Sequence, residues 1–380
     1  MQEIFYKFNP RREKETFSTN FLRREKYLSL LENHLNDNEI VILTLRRIGK
    51  TSIMKLFIQE LIEKYKVNSL HIFYISCDIY GLEKYSLLDL VREFRKIHGI
   101  KLTEQIYVFF DEITYKDSYQ QQLKNLYDEN IKIYATSSAS SVLKDSKAFL
   151  TGRSRLLEVI PLDFDEYLLF KNIKISKAEY LYEKYFEQYM SDGGIPEYVL
   201  NGEIGYIKAL VDDIMYKDII AYHNIKEKTI IKEFFLLLLE RCGKPIGINK
   251  LANILISPDT STRFLYFIDT YLFYLLPRCG KLNETIRSSK KLYCGDVGIK
   301  NAFLFKDKAV YENLIYLKLK KHTPCYYYQD ETELDFIANK TLIEAKYGQE
   351  LNEKQKKLFD KFPKKHVIQY EYKAVDDILF

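Results

Sequence analysis

The sequence predicts an α/β fold that opens with a parallel sheet, and three observations carry that prediction. From Glu39 to Pro161, apolar β-forming runs alternate with amphipathic stretches of helical spacing. Those runs are apolar on both faces, as strands sandwiched between helices must be. After Leu162 helical periodicity takes over, and strand-like segments return beyond about Lys281.

The predicted strands of the first part are EIVILTL (39–45), SLHIFYISC (69–77), IYVFFDE (106–112), IKIYATS (131–137) and RLLEVIP (155–161). Between them, MKLFIQELIEKY and LLDLVREFRKI repeat apolar residues at helical spacing and are predicted helices. Helices continue from Asp163 to about Leu276, broken at Gly193-Gly194-Ile195-Pro196 and at Gly243-Lys244-Pro245. A short helix at 248–255 and a second along the apolar run Thr262–Leu276 meet at Ser257-Pro258-Asp259. That is the rhythm of a helix-turn-helix or winged-helix module. A helix over Val310–Lys321, a strand at 324–329 and a hairpin over 333–347 come last. A chain of 380 residues exceeds one ordinary core, and the expected division is 1–162, 163–280 and 281–380.

Composition narrows the classes. Hydrophobic content of 47% with 29% charged residues describes a globular protein, and a net charge of +5 suits a polyanionic partner. Cys77, Cys242, Cys279, Cys294 and Cys325 are odd in number and scattered without C-x-x-C spacing, which argues against a disulfide framework or zinc site and for a reducing cytoplasm. No apolar run approaches the roughly 20 residues of a membrane span. The start MQEIFYKFNPRREKE lacks the apolar core of a signal peptide. His34, His71, His98, His223, His322 and His366 have no ligand-like neighbours in sequence and are read as surface or core residues.

The stretch Val41–Ser52, VILTLRRIGKTS, ends as a phosphate-binding loop does. Backbone N–H groups over Arg47, Ile48, Gly49, Lys50, Thr51 and Ser52 would wrap phosphate oxygens at a helix N-terminus. Lys50 would neutralise them, and the Thr51 hydroxyl would bind Mg²⁺. Thr44 stands where the G-x-x-x-x-G-K-[ST] pattern has its first glycine. The strand IYVFFDE ends in Asp111-Glu112, with Asp111 suited to the metal and Glu112 to the attacking water. The next strand ends in Thr136-Ser137-Ser138, placing Ser138 to sense a γ-phosphate.

With these motifs on the page, the first two-thirds of the chain resembles the AAA-type ATPases of archaea and bacteria, near the STAND and origin-recognition branches. The carrying residues are Phe21-Leu22-Arg23-Arg24-Glu25, Arg46-Arg47-Ile48-Gly49-Lys50-Thr51, Phe110-Asp111-Glu112-Ile113, Leu150-Thr151-Gly152-Arg153 and Gly193-Gly194-Ile195-Pro196. The resemblance implies a P-loop sheet that binds ATP, Arg24 near the adenine and Arg153 on a γ-phosphate, its own or a neighbouring subunit's. A neighbour's arginine would make the protein a homo-oligomer. The turn at Pro196 would close a helical lid on the nucleotide. The chain departs from the pattern at Thr44 and at Arg23.

A second constellation lies in the hairpin. A two-residue Asn339-Lys340 loop would bring Asp335 opposite Glu344, close enough for both to hold a divalent cation. Lys346, two residues on, shares that face, and Glu312 on the preceding helix offers a third acid. The Glu … Asp … Glu-x-Lys series resembles the PD-(D/E)xK restriction-endonuclease-like superfamily. The segment Arg287–Gly298 is similar to an R-S-x-K-x-Y-x-x-D-x-G run that precedes such a domain in relatives of the ATPase family. The resemblance implies an α/β nuclease-like C-terminal domain using Mg²⁺ or Mn²⁺. Gln355 and Lys356 are read as solvated surface.

In the helix-turn-helix candidate Arg263 is the lone cation on Ser257–Leu276, so phosphate contacts are expected from Lys281, Arg287, Lys290 and Lys291, placed as a wing. The expectation is a cytoplasmic ATPase acting on DNA, away from membranes, with a metal-dependent nuclease-like domain. The alternative is a nucleotide-gated switch that binds a protein or DNA without cleaving it.

Overall fold

The computed structural model describes residues 2–9, 20–45, 47–129, 131–138, 150, 152–174, 179–255, 259–305, 309–320, 324–330 and 332–368. Arg46, Thr151, Ser257 and Pro258 therefore lie outside the described residues. The chain forms two compact units, Met1–Ile160 and Pro161–Phe380.

In the first unit, β1 (Ile40–Thr44), β2 (Ile72–Ser76), β3 (Ile106–Asp111), β4 (Ile131–Thr136) and β5 (Ser154–Glu158) form one sheet in the order β2-β3-β4-β1-β5. Every pairing is parallel. Both faces are apolar because both are covered. Ile40, Ile42, Phe73, Phe110 and Ile133 share one core with Leu87, Leu90 and Phe94 of the helix Leu87–His98. On the other face Phe109 stacks on Tyr134 at 5.0 Å, and Phe57 of the helix Lys50–Glu63 meets Tyr134 edge-on. From β1 the chain crosses to the far edge at β2, returns through β3 and β4, then places β5 on the other side of β1. The carboxyl ends of β1, β4 and β3 thus lie side by side where the winding reverses, the place where open α/β sheets bind ligands.

The second unit opens with helices Phe164–Phe170 and Glu179–Asp192. Helix Lys228–Arg241 leads to β6 (Pro245–Ile246), helices Ile248–Leu255 and Thr260–Asp269, β7 (Phe273–Leu276), an excursion holding helix Leu282–Arg287, and β8 (Lys290–Cys294). These strands pair antiparallel in the order β6-β8-β7. The apolar run Thr262–Leu276, expected as one helix, is a helix followed by a strand. Tyr271 takes a left-handed φ of 61° that ends the helix, and Phe273–Leu276 then pairs with β8. A division at 280/281 would cut this sheet, since β8 lies beyond it while both partners lie before it.

Four further strands, β9 (Cys325–Gln329), β10 (Glu333–Ala338), β11 (Thr341–Ala345) and β12 (Lys365–Ile368), form a mixed sheet in the order β12-β11-β10-β9. β9, β10 and β11 run antiparallel, and β12 joins β11 in parallel after helix Glu353–Phe359. Tyr316 of helix Ala309–Leu319, Tyr293 of β8 and Phe336 of β10 share a core with Phe164 and Phe186 of the opening helices. Among the described residues no helix is long and apolar enough to cross a membrane.

Candidate functional site

The phosphate-loop sequence follows β1 and enters the helix Lys50–Glu63 through Gly49, whose φ of 82° is left-handed. Leu45 (87°) and Arg47 (55°) are left-handed as well. Thr44 is not. It is the last strand residue, 2% exposed, and its hydroxyl donates to the Leu157 carbonyl at 3.5 Å. The backbone bend that the pattern's first glycine would serve falls one residue later, on Leu45.

Lys50 Nζ donates to the Leu45 carbonyl and, at 3.0 Å, to Ser138 Oγ. Ser138 in turn gives its N–H to Glu112 Oε2 at 3.0 Å and its hydroxyl to Oε1. Glu112 is itself left-handed, with φ 54°, an uncommon backbone for a non-glycine and one that clusters at functional sites. Asp111, 3% exposed, accepts three hydroxyls: Thr51 at 2.7 Å, Tyr74 at 2.9 Å and Thr136. A hydroxyl and a carboxylate at hydrogen-bond distance are a hard-oxygen donor set that fits Mg²⁺. Arg47, Gly49, Lys50, Thr51, Glu112 and Ser138 line one cavity of about 300 Å³. Asp78, Thr114 and Tyr115 line it too and were not foreseen. Ile48 is buried and Ser52 stands in the first helical turn. Tyr74 was also missed, because only the strand pairing reveals that its side chain reaches Asp111.

Arg24 and Arg153 lie at opposite ends of the sheet. Arg24 is 2% exposed and holds backbone, donating to the carbonyls of Ile48 at 3.2 Å and Ile160 at 2.9 Å over the Tyr27 ring. It braces the loop from behind. Arg153 sits at the amino end of the sheet, where its carbonyl accepts from Ile40 N at 2.8 Å and its guanidinium lies over Tyr127. A strand length of about 15 Å separates that edge from the loop, so Arg153 does not reach the phosphate site of its own unit. His34 stands beside two acids, its Nδ1 2.6 Å from Asp37 and 3.4 Å from Glu39. Lys132 at 2.7 Å and Arg155 at 3.3 Å already neutralise those acids.

In the second unit Asn339 (φ 47°) and Lys340 (φ 61°) make the tight turn that a two-residue hairpin needs. The register Phe336↔Ile343 sets Asp335 opposite Glu344. Glu344 is fully buried, and its oxygens are taken by Asp335 N at 2.9 Å, Lys346 Nζ at 2.7 Å and Gln355 Nε2 at 2.8 Å. Gln355 is thus part of the site rather than solvated surface. Asp335 accepts from Ala345 N at 3.0 Å. Glu312, Asp335 and Lys346 line a cavity of about 840 Å³ together with Lys244, Tyr311 and Tyr347, among others.

Lys291 is the largest correction. Expected on a DNA-facing wing, it is 1% exposed, with Nζ 2.6 Å from Glu312, 2.6 Å from Glu333 and 3.4 Å from Asp335. Burial works against its charge, and the three acids outweigh burial and raise its pKa. Tyr293, two residues on, donates its hydroxyl to Glu312. Burial first, then the Asp335 charge, push Glu312 and Glu344 up to about 7. With Lys291 and Lys346 standing among the acids, Glu312, Asp335 and Glu344 do not bring three ligand atoms within 4.8 Å of one another; among the described residues only His34, Asp37 and Glu39 do. Asp335 and Glu312 stand on the cavity wall.

Arg263, the lone cation of the helix-turn-helix candidate, is 7% exposed and paired with Glu227, so it is not a surface contact. Lys281 and Arg287 are exposed and Lys290 is half-buried. Pro196 is buried at the start of helix Pro196–Asn201 in the second unit. The glycines before it are packed: Gly194 N donates to Asp296 at 2.7 Å, and a Cβ on Gly193 would come within 2.1 Å of the same carboxylate.

A family model described as an AAA domain matches residues 36–168, and a domain of unknown function matches 183–309. The uncharacterized protein MJ1544 of Methanocaldococcus jannaschii is 32% identical over 366 residues, covering 88% of this chain and 79% of its own. A second uncharacterized protein of that organism, MJ1637, is 29% identical over 83% of this chain and 72% of its own. Among solved structures, the Walker-type ATPase paby2304 of Pyrococcus abyssi is similar at 17% identity, over 74% of this chain and 96% of that one, with a TM-score of 0.47. The chain belongs to the family of the Methanocaldococcus jannaschii protein MJ1544, and its first part is an AAA-type P-loop domain.

Proposed function

We propose that this protein is an ATP-hydrolysing enzyme that acts on DNA through a divalent-metal-dependent, nuclease-like site in its second unit. The observation that carries the DNA half is the convergence of Glu312, Asp335 and Lys346 on one cavity, with Glu344 sealed behind them. In the ATP site, Lys50 would exchange the Leu45 carbonyl for phosphate oxygens, and Thr51 and Asp111 would hold Mg²⁺. Glu112, now latched to Ser138, would orient the attacking water.

In the second unit Asp335 and Glu312 would hold Mg²⁺ or Mn²⁺, with phosphate oxygens of the substrate completing the shell. The cation, when bound, supplies charge neutralisation at the phosphate and an acidified water. Lys346 lies beside that position and would stabilise developing charge on the phosphate oxygens. The order helix, β6, two helices, β7, excursion, β8 supports reading 228–294 as a winged-helix module, with exposed Lys281 and Arg287 as phosphate contacts. Residues 281–380 would then be a nuclease-like region that shares strand β8 with this module.

The test is cleavage of labelled single-stranded, duplex and branched DNA with Mg²⁺ or Mn²⁺, with and without ATP. Cleavage that disappears in Asp335→Ala is expected, as is loss of ATP binding in Lys50→Ala. No cleavage of any substrate by the wild type, or cleavage that persists in Asp335→Ala, would remove the nuclease half.

A further inference from the structure

The cavity of the second unit has a wall that the phosphodiester chemistry leaves unused. Tyr347 follows Lys346 directly, is half-buried and lines the cavity. Its ring is backed by Tyr311, with centroids 5.3 Å apart, and by Phe186 at 6.4 Å. Its hydroxyl donates to Glu187 at 3.3 Å, so the ring is held in place at both ends. Lys244, exposed in the turn before β6, lines the same cavity, and so does Lys346. A space of about 840 Å³ is a small-ligand volume, with room for a nucleotide.

A base inside a duplex shows only its edges, in the grooves, while its faces are covered by its neighbours. An aromatic wall inside a concave site can meet the face of a base only once that base has left the stack. We infer, resting on the phosphodiester reading above, that the cavity takes an unpaired DNA strand. One base lies against Tyr347 and its phosphate against Lys346 and Lys244, so the substrate class is single-stranded DNA rather than intact duplex.

The experiment is binding of the full chain, in EDTA, to labelled oligothymidylate and to a blunt duplex of the same length, read by fluorescence anisotropy. The single strand is expected to bind at least about tenfold more tightly. Tyr347→Leu should weaken strand binding by about 5- to 150-fold, the effect of losing one stacked base, and leave duplex binding unchanged. Tyr347→Phe should retain wild-type affinity. Should Tyr347→Leu not fold, exposed Lys244→Ala carries the test: strand affinity and its salt slope should both fall, the slope by about one phosphate contact. Equal affinity for the two DNAs, or an unchanged strand affinity in folded Tyr347→Leu, overturns the inference, as does an unchanged slope in Lys244→Ala. If Asp335→Ala abolishes cleavage while both DNAs bind alike, the substrate class is wrong and the nuclease reading stands. Selective strand binding without cleavage in any metal removes the nuclease reading and keeps the selectivity.

Discussion

At the scale of single residues, Lys291 organises the second unit's site. A buried ammonium within 3.4 Å of three carboxylates is tolerated because each charge has a partner, and removing one partner leaves the others uncompensated. Lys291→Met should therefore cost about 3–5 kcal/mol of stability near neutral pH, read as the denaturant midpoint of the second unit's transition. A loss under about 1 kcal/mol would mean that the acids do not depend on it. The same residue shows what sequence could reveal. The meeting of Lys50, Thr51, Asp111 and Glu112 was legible because each stands in a short local pattern at a strand end. Lys291 and Tyr74 were not, since their partners Glu312 and Asp111 lie 21 and 37 positions away in the chain. A basic cluster read by composition alone looks like a surface, and here its fourth member is core. Thr44 was legible as a departure, but its consequence was not, because the left-handed bend sits on Leu45.

At the scale of elements, the hairpin was read correctly in register because a two-residue turn fixes which residues face each other, independent of anything distant. Strand β7 was not, because a four-residue apolar run fits helix and strand equally and only the pairing with β8 decides. The hairpin also makes a titration prediction. Burial and the Asp335 charge hold the Glu312 and Glu344 carboxyls above their ordinary value, near 7, so folding favours their protonated forms. The stability they contribute is complete below about pH 4.5 and is lost as pH rises through about 7. In EDTA, the wild type should lose on the order of 1–3 kcal/mol across that window relative to Glu344→Gln, which has one fewer group to ionise. Denaturant midpoints measured at intervals from pH 4.5 to 8 check this. Parallel curves for the two proteins would show that Glu344 ionises as freely in the folded state as in the unfolded one.

At the scale of the molecule, the phosphate-loop cavity lies wholly within Met1–Ile160 and the acid-lined cavity wholly within Pro161–Phe380. Each unit has its own apolar core: one cluster packs Ile42 and Phe110 with Phe94, another packs Tyr293 and Phe336 with Phe186. Chains built this way depart from a single two-state transition. A ligand that binds only the folded form of one unit raises that unit's stability by mass action, by about 2.7 kcal/mol at a hundredfold excess over its dissociation constant. Calorimetry should thus resolve two transitions. A non-hydrolysable ATP analogue with Mg²⁺ should raise one of them, and Lys50→Ala should lose that shift while keeping both transitions. Asp335→Ala should alter the other transition and leave the nucleotide-induced shift intact, because no residue of its cavity belongs to the first unit. If the analogue moved both transitions together, the two cavities would be energetically coupled, and the nucleotide would then be acting on the acid-lined cavity through the fold.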